Sequence, residues 1–204
     1  MATIVEEAIQ VELPRFRWST AEFDRLVAEG FIREGGRVFL WDGEIIAPMP
    51  EDPFHGDACE NLADLLKARL AANAWTINSG RPIALGDGFL PQPDIVVLRG
   101  ARSDYRGRRP VAGEVCLVVE VANSSYAFDA GEYLRRYALE GIPLYWIVKI
   151  KARRVEVYAK PDRQAGRYDL RSSFGIGEAV PLTLGEAAFE PIAVEAILRD
   201  SIEG

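Results

Sequence analysis

The sequence predicts an α/β protein in which a mixed central sheet is flanked by helices. Residues 115–119 are five consecutive apolar residues, which is typical of a strand buried on both faces. The predicted elements follow one another as helix, hairpin, helix, strands, helix and strands. The chain of 204 residues has no internal repeat or linker, so we expect a single domain over residues 1–204.

Two helices and a hairpin are predicted in the first half of the chain. Ser19 and Glu22 have the spacing of a capping box, which marks the start of a helix. Asp42-Gly43 is a dipeptide that tolerates the positive φ angles of a tight hairpin turn. Further along, leucines recur at helical spacing and indicate one apolar face. The predicted elements are a helix over 19–29, hairpin strands over 38–41 and 44–47, and a helix over 57–72.

The second half of the chain is predicted to consist mainly of strands. One helix interrupts them, because capping residues at 123–125 precede it and Gly141 ends it. This helix is predicted over 129–140. The predicted strands cover residues 75–78, 82–85, 95–98, 115–119, 144–150 and 153–159, and weaker strands and a short helix near 194–199 follow.

The chain is acidic, with a formal net charge of -7 and a pI near 4.9. This charge counts against a protein that coats nucleic acid, because binding to phosphates requires concentrated positive charge. Basic runs within residues 99–109 and 149–154 soften the objection, although such runs usually form solvated loops. The chain starts without a basic segment and contains no long apolar stretch, so we expect a cytoplasmic protein without a membrane span.

Two carboxylates stand at the ends of apolar strands. Asp94 opens the strand over 95–98, and Glu120 closes the strand over 115–119. Burying an unpaired carboxylate costs free energy, so each of them requires a partner or a cation. If the two strands are antiparallel neighbours, the side chains converge, and converging carboxylates suit Mg²⁺. The alternative, equally open at this point, is that each acid caps its strand or pairs with an arginine.

Several short motifs occur in a fixed order along the chain. They are Asp42-Gly43-Glu44 in the hairpin, His55 at the head of a helix, Pro93-Asp94, Val119-Glu120-Val121 and Gly141-Ile142-Pro143-Leu144-Tyr145-Trp146. Each is common by itself, but their ordered combination resembles the Uma-type family of bacterial restriction endonucleases. That family belongs to the PD-(D/E)XK nuclease-like superfamily, so the resemblance implies a restriction-endonuclease-like fold.

The resemblance also implies a function and a site. The function is a divalent-metal-dependent DNA endonuclease that hydrolyses phosphodiester bonds. Asp94 and Glu120 would bind Mg²⁺ or Mn²⁺, with Glu44 as an additional acidic residue. His55 would hydrogen-bond a metal ligand or assist proton transfer, or else it anchors the turn before its helix. Two sites are needed to cut both strands of DNA in one encounter, so we expect a homodimer.

The chain departs from the family at the active-site lysine. The family places this lysine four residues before the tyrosine that corresponds to Tyr137, and Tyr133 occupies that position here. A phenol cannot supply the positive charge that stabilises developing negative charge. The alternative function is therefore a catalytically impaired nuclease-fold homodimer that binds nucleic acid or protein. Tyr133 could donate its hydroxyl to a phosphate or pack against the hairpin, and the candidate replacement cations are Arg135, Arg136 and Lys149.

Overall fold

The computed structural model describes residues 15–32, 38–47 and 53–199. In chain order the elements are α1 (Thr20–Ala28), β1 (Phe39–Trp41), β2 (Glu44–Ile46), α2 (Pro53–Arg69), β3 (Trp75–Ser79), β4 (Ile95–Arg99), β5 (Val115–Ala122), α3 (Tyr126–Phe128), α4 (Leu134–Glu140), β6 (Leu144–Lys149), β7 (Arg154–Asp162), β8 (Arg167–Gly175), β9 (Ala179–Leu184), β10 (Ala187–Ala193) and α5 (Val194–Ile197). Two 3₁₀ turns, Arg102–Tyr105 and Ala112–Glu114, lie between β4 and β5. A π-helical turn, Asp129–Tyr133, joins α3 to α4.

The predicted α/β class with a mixed central sheet is confirmed. Six strands form one sheet in the order β3-β4-β5-β6-β7-β8. β5 and β6 are parallel, and every other neighbouring pair in this sheet is antiparallel. Parallel neighbours need a crossover connection, and the helical segment from α3 to α4 provides it. The hairpins β1–β2 and β9–β10 form separate two-stranded sheets.

Helices and hairpins cover both faces of the central sheet. On one face, α2, α5 and the β9–β10 hairpin bury side chains such as Leu62 and Val119. On the other face, the segment from α3 to α4 and the β1–β2 hairpin pack over side chains such as Val118 and Tyr145. Because side chains alternate along a strand, Glu120 points to the same face as Val118. This second face therefore carries a carboxylate among apolar and aromatic side chains.

The local signals in the sequence correspond to the observed caps and turns. The Ser19 side chain accepts the N–H of Glu22, and the Glu22 side chain accepts the N–H of Ser19, so the capping box is confirmed. Asp42 and Gly43 have φ angles of 49° and 69°, as a tight hairpin turn requires. Gly141 ends α4 with a φ angle of 77°.

Several of the predicted elements differ from the structure. β5 continues to Ala122, so Glu120 lies within this strand and does not close it. Residues 82–85 do not form a strand, because only Ala84 makes a bridge, to Val111. Pro82 has no N–H for a strand ladder, which favours a loop. α2 begins at Pro53 rather than at residue 57, since proline is well tolerated in the first turn of a helix. The third helical segment begins at Tyr126 rather than at residue 129, and a π-helical turn interrupts it.

The described helices include none that is both long and apolar enough to cross a membrane. The cytoplasmic location stays a prediction. The single domain over residues 1–204 also stays a prediction, because residues 1–14 and 200–204 lie outside the described part of the chain.

Candidate metal site

Asp94 and Glu120 are held together by the pairing of β4 with β5. Ile95 lies opposite Val119 in the antiparallel register. Asp94, which precedes Ile95, is therefore a neighbour of Glu120, which follows Val119. The N–H of Asp94 donates to Glu120 Oε2 at 3.3 Å, and the N–H of Val121 donates to Asp94 Oδ2 at 2.7 Å. Each carboxylate is therefore bound by the backbone of the other strand. The structure brings these two acids together in the way that an antiparallel arrangement predicts.

A third carboxylate, Asp129, belongs to the same site. Asp129 is only 3% exposed and begins the π-helical turn. Burial raises the pKa of Asp129 to about 6, with a further contribution from the charge of Asp94, although a hydrogen bond from Ser125 and the nearby His55 act in the opposite direction. The Ser125 hydroxyl donates to Asp129 Oδ2 at 2.6 Å. The sequence showed an acid near the start of a helix, but it did not show that the helix turns this acid inwards.

Glu120 is nearly completely buried, with 5% of its surface exposed. Burial, followed by the charges of Asp94 and Asp129, raises the pKa of Glu120 well above its usual value. The Tyr137 hydroxyl donates to Glu120 Oε1 at 2.8 Å. Three carboxylates that repel one another in a buried site fit a cation, because positive charge removes both the repulsion and the cost of burial. The oxygen atoms of this set suit Mg²⁺ or Mn²⁺.

His55 lies next to Asp94, at the beginning of α2. Its Nε2 is 3.1 Å from Asp94 Oδ2, and its Nδ1 is 3.7 Å from the Sγ atom of Cys59. Ligand atoms of His55, Cys59 and Asp94 all lie within 4.8 Å of one another. This is the contact expected if His55 holds Asp94, a predicted metal ligand. Cys59 was not predicted as part of the site, although its spacing of four residues from His55 on one helix face is a signal for such a contact.

Tyr133 lies within an aromatic cluster at the position where the resemblance implies a lysine. Its ring centroid is 4.6 Å from that of Phe128, 4.7 Å from that of Trp41 and 6.3 Å from that of Phe39. Burial raises the pKa of Tyr133 far above its usual value, as do the charges of the three nearby carboxylates. The phenol is therefore neutral. Packing against the β1–β2 hairpin, which contains Trp41, is one of the two readings that the sequence left open, and the structure shows it.

Glu44 is not brought to the other acids by any contact among the described residues. Its Oε1 forms ion pairs with Arg15 and Arg17, both at 3.3 Å, and a third of its side chain is exposed. These two arginines already neutralise the carboxylate on the hairpin. The role of Glu44 as an additional acidic residue of the site stays a prediction.

The candidate replacement cations have partners away from the three carboxylates. Arg136 pairs with Glu140 at 2.6 Å and lies over the ring of Phe89. Lys149 pairs with Glu156 at 3.2 Å and lies over the ring of Tyr126. Arg135 is exposed and makes no ion pair with a described residue. None of these three basic side chains contacts Asp94, Glu120 or Asp129 in the part of the chain that the structure describes.

Glu156 organises a polar cluster on the same face of the sheet. It is 4% exposed. Its carboxylate also accepts hydrogen bonds from the hydroxyls of Tyr126 and Tyr158 and from the Arg171 guanidinium. Burial acts to raise the pKa of Glu156, but hydrogen bonds from Tyr158, Lys149 and Arg171 outweigh it and leave the pKa below its usual 4.5. The ionised form is thus stabilised by folding.

We expect Glu156→Gln to lower the free energy of unfolding by about 1–2 kcal/mol at pH 7, because two charge-assisted contacts are lost from a partly solvated cluster. A lowered folded-state pKa contributes stability above the unfolded-state pKa, and that contribution disappears as the pH falls below about 4.5. Urea unfolding between pH 3 and pH 8 measures the difference. Glu186→Gln, in the exposed turn between β9 and β10, is the matched control. A difference between wild type and Glu156→Gln that persists unchanged at pH 3 would contradict this account.

A second expectation concerns the repulsion within the site. A carboxyl group whose folded-state pKa is raised destabilises the fold above its unfolded-state pKa, increasingly up to the folded-state pKa of about 6. Asp129→Asn keeps the hydrogen-bond acceptor for Ser125 but removes the charge. We expect this variant, in EDTA at pH 8, to be more stable than the wild type by about 1–3 kcal/mol. The exposed Asp169→Asn serves as control, and equal stabilities of Asp129→Asn and wild type would show that the site carries no such strain.

A comparison with solved structures finds a protein that has the same fold. This chain is similar to the crystal structure of a protein from Anabaena variabilis ATCC 29413 that is described as a "putative nuclease belonging to DUF820". The TM-score is 0.69 at 14% identity, and the match covers 90% of this chain and 99% of that chain. At this identity the similarity shows a shared fold alone.

The family of the chain follows from its sequence. The model of the Uma2 family, described as "Putative restriction endonuclease", matches residues 20–195. The chain belongs to this family, and the resemblance inferred from the ordered motifs is confirmed. No curated protein matches the chain.

Proposed function

We propose that the protein is a divalent-metal-dependent DNA endonuclease of the PD-(D/E)XK type. The observation that carries this proposal is the convergence of Asp94, Glu120 and Asp129. Glu120 and Asp129 are buried, and the repulsion among the three acids calls for a cation. Membership of the family supports the nuclease class. Asp94 and Glu120 would hold Mg²⁺ or Mn²⁺, with Asp129 beside them and Glu44 as a further acidic residue. A homodimer would present two such sites to the two strands of a DNA duplex.

When bound, the metal would lower the pKa of a water molecule and stabilise negative charge on the phosphate oxygens. The residues of the chain have supporting roles. The backbone N–H of Val121 and the ring of His55 orient Asp94, and the hydroxyl of Tyr137 orients Glu120. Hydrogen bonds of this kind around metal ligands fix their geometry and tune their basicity. His55 Nε2, 3.1 Å from Asp94 Oδ2, is the imidazole nitrogen that would accept a proton during hydrolysis.

A second function is favoured by one specific observation. Tyr133 occupies the position of the family's lysine, and the three candidate cations Arg135, Arg136 and Lys149 contact none of the three acids among the described residues. A site with metal ligands but no cation would bind the ion and cleave DNA weakly or not at all. The second proposal is therefore a catalytically impaired nuclease-fold homodimer that binds nucleic acid or protein.

Cleavage of DNA tests the first proposal. Purified protein is incubated with supercoiled, linear duplex and single-stranded DNA in Mn²⁺ or Mg²⁺. We expect Asp94→Asn to lower the cleavage rate by about 100-fold or more, because it removes the charge of a metal ligand. Asp169→Asn, an exposed acid on β8, should leave the rate unchanged. Equal cleavage by wild type and Asp94→Asn would rule out this site as the source of the activity.

Substitution of Tyr133 distinguishes the two proposals. We expect Tyr133→Lys to raise the cleavage rate by about tenfold or more, because its ammonium group would lie among three carboxylates where charge develops. Tyr133→Phe removes only the hydroxyl and is the matched control, and thermal unfolding checks that each variant folds. Calorimetric titration with Mn²⁺ completes the test. If the Tyr133→Lys variant binds Mn²⁺ but still does not cleave DNA, the protein lacks more than the lysine of its family. That result would support the second proposal.

A further inference from the structure

We propose that a cavity beside β3 binds the phosphate groups of a nucleic-acid backbone. The inference rests on the proposed function, because it names the surface that would hold the DNA of the metal site. The cavity has a volume of about 790 Å³. Five arginines line it, namely Arg81, Arg102, Arg106, Arg108 and Arg109. This concentration of positive charge contrasts with the net charge of -7 of the whole chain.

Two of the five arginines anchor the loop between β4 and β5. Arg108 donates two hydrogen bonds to the carboxylate of Glu114, at 2.8 and 2.7 Å. Arg109 donates two to the carboxylate of Asp24 on α1, at 2.8 and 2.6 Å. Bidentate pairs of this kind fix geometry as well as charge. These two arginines thus hold the loop in place, and the charge of each is already paired with a carboxylate.

The other three arginines are available for an anion. Arg81, Arg102 and Arg106 are exposed and form no ion pair with any residue that the structure describes. The acid nearest to them in the chain is Asp104, whose carboxylate accepts the N–H of Ala101 at 2.9 Å and the hydroxyl of Ser103 at 3.2 Å. Asp104 is therefore engaged in the 3₁₀ turn. Asp104 keeps its negative charge in this turn, but the three guanidinium groups that line the cavity form no ion pair with it or with any other described acid.

The position of the cavity relates it to the carboxylates. Thr76 and Asn78 line it and lie opposite Leu98 and Val96 on β4. Since paired residues share a face of the sheet, the cavity is on the same face as Glu120. At one end, Arg81 follows Gly80, whose N–H donates to the carbonyl oxygen of Asp94 at 3.2 Å. A bound strand would therefore extend from the arginines towards the metal ligands.

The size and charge of the cavity favour a nucleic acid over a single small anion. A volume of about 790 Å³ is in the range that accommodates a whole ligand. The free arginines come from two separate segments, residues 81 and 102–106, so they can bind successive phosphates. An acidic protein repels a polyanion elsewhere on its surface, and a local cluster of guanidinium groups is the arrangement that offsets this repulsion.

The test measures binding without cleavage. Fluorescence anisotropy with labelled duplex and single-stranded DNA is recorded in EDTA at several salt concentrations. The test variant combines Arg81→Ala, Arg102→Ala and Arg106→Ala. The control combines Lys67→Ala, Arg163→Ala and Arg167→Ala, which removes the same charge at exposed positions outside the cavity. We expect the test variant to raise the Kd by about tenfold or more and to reduce the slope of log K against log salt by about 2–3, whereas the control changes neither strongly.

Each outcome separates this inference from the proposed function. If wild type binds DNA and the test variant has the same Kd and salt slope, the cavity is not the phosphate site, whatever the cleavage assay gives. Calorimetric binding of inorganic pyrophosphate by a wild type that binds no DNA would also overturn the inference, in favour of a small-anion site. If the test variant loses DNA binding and the wild type shows no cleavage, the cavity is supported as the phosphate-binding site. Only the proposed nuclease activity is then rejected.

Discussion

The candidate site depends on the antiparallel pairing of β4 with β5. In this register Ile95, the first residue of β4, lies beside Val119 of β5. The N–H of Asp94, just before β4, donates to the Glu120 carboxylate, and the N–H of Val121 on β5 donates to the Asp94 carboxylate. The acids are thus placed by the sheet rather than by a flexible loop. β5 is also the parallel neighbour of β6. The crossover that connects them, from α3 to α4, lies over the face of the sheet to which Glu120 points. That crossover carries Asp129, Tyr133 and Tyr137 to the site.

The site holds negative charge in surroundings that disfavour it. The pKa values of Glu120 and Asp129 are raised by burial and by their neighbours, and the raised pKa of a carboxyl group means that its ionised form opposes folding. The fold tolerates this cost because Tyr137, Ser125 and backbone N–H groups supply hydrogen bonds. Groups with shifted pKa values in one place are typical of functional sites, where stability is exchanged for chemistry. The polar cluster around Glu156 shows the opposite case, since its charge is matched by Lys149 and Arg171.

Arginine side chains serve two purposes in this acidic protein. Arg108, Arg109 and Arg136 are tied to acids, and their role is to hold loops and helices in place. Arg81, Arg102 and Arg106 have no such acid among the described residues and gather at one cavity. The net charge of the chain is therefore a poor guide to whether it binds nucleic acid. The distribution of paired and unpaired arginines is the relevant quantity, because a polyanion responds to the local potential.

The sequence by itself determined the elements whose signals are local. The capping box at Ser19 and the turn at Asp42-Gly43 depend on neighbouring residues and occur as predicted. The apolar strand predicted over 115–119 also occurs, but it continues to Ala122. The adjacency of Asp94 and Glu120 followed once β4 and β5 were taken as antiparallel neighbours. The ordered motifs also identified the family.

The tertiary structure alone decided which charged groups meet. A π-helical turn changes the direction of side chains within a helix, so regular periodicity could not show that Asp129 faces Glu120. Residues 82–85 are as apolar as a strand, yet packing left them as a loop with one bridge. The partners of Lys149 and Arg136, and the absence of an acid beside Arg81 among the described residues, depend on contacts between residues far apart in the chain. Interactions between exposed charges are screened beyond about 10 Å in salt solution, so which charges interact is set by three-dimensional proximity, which sequence order does not encode.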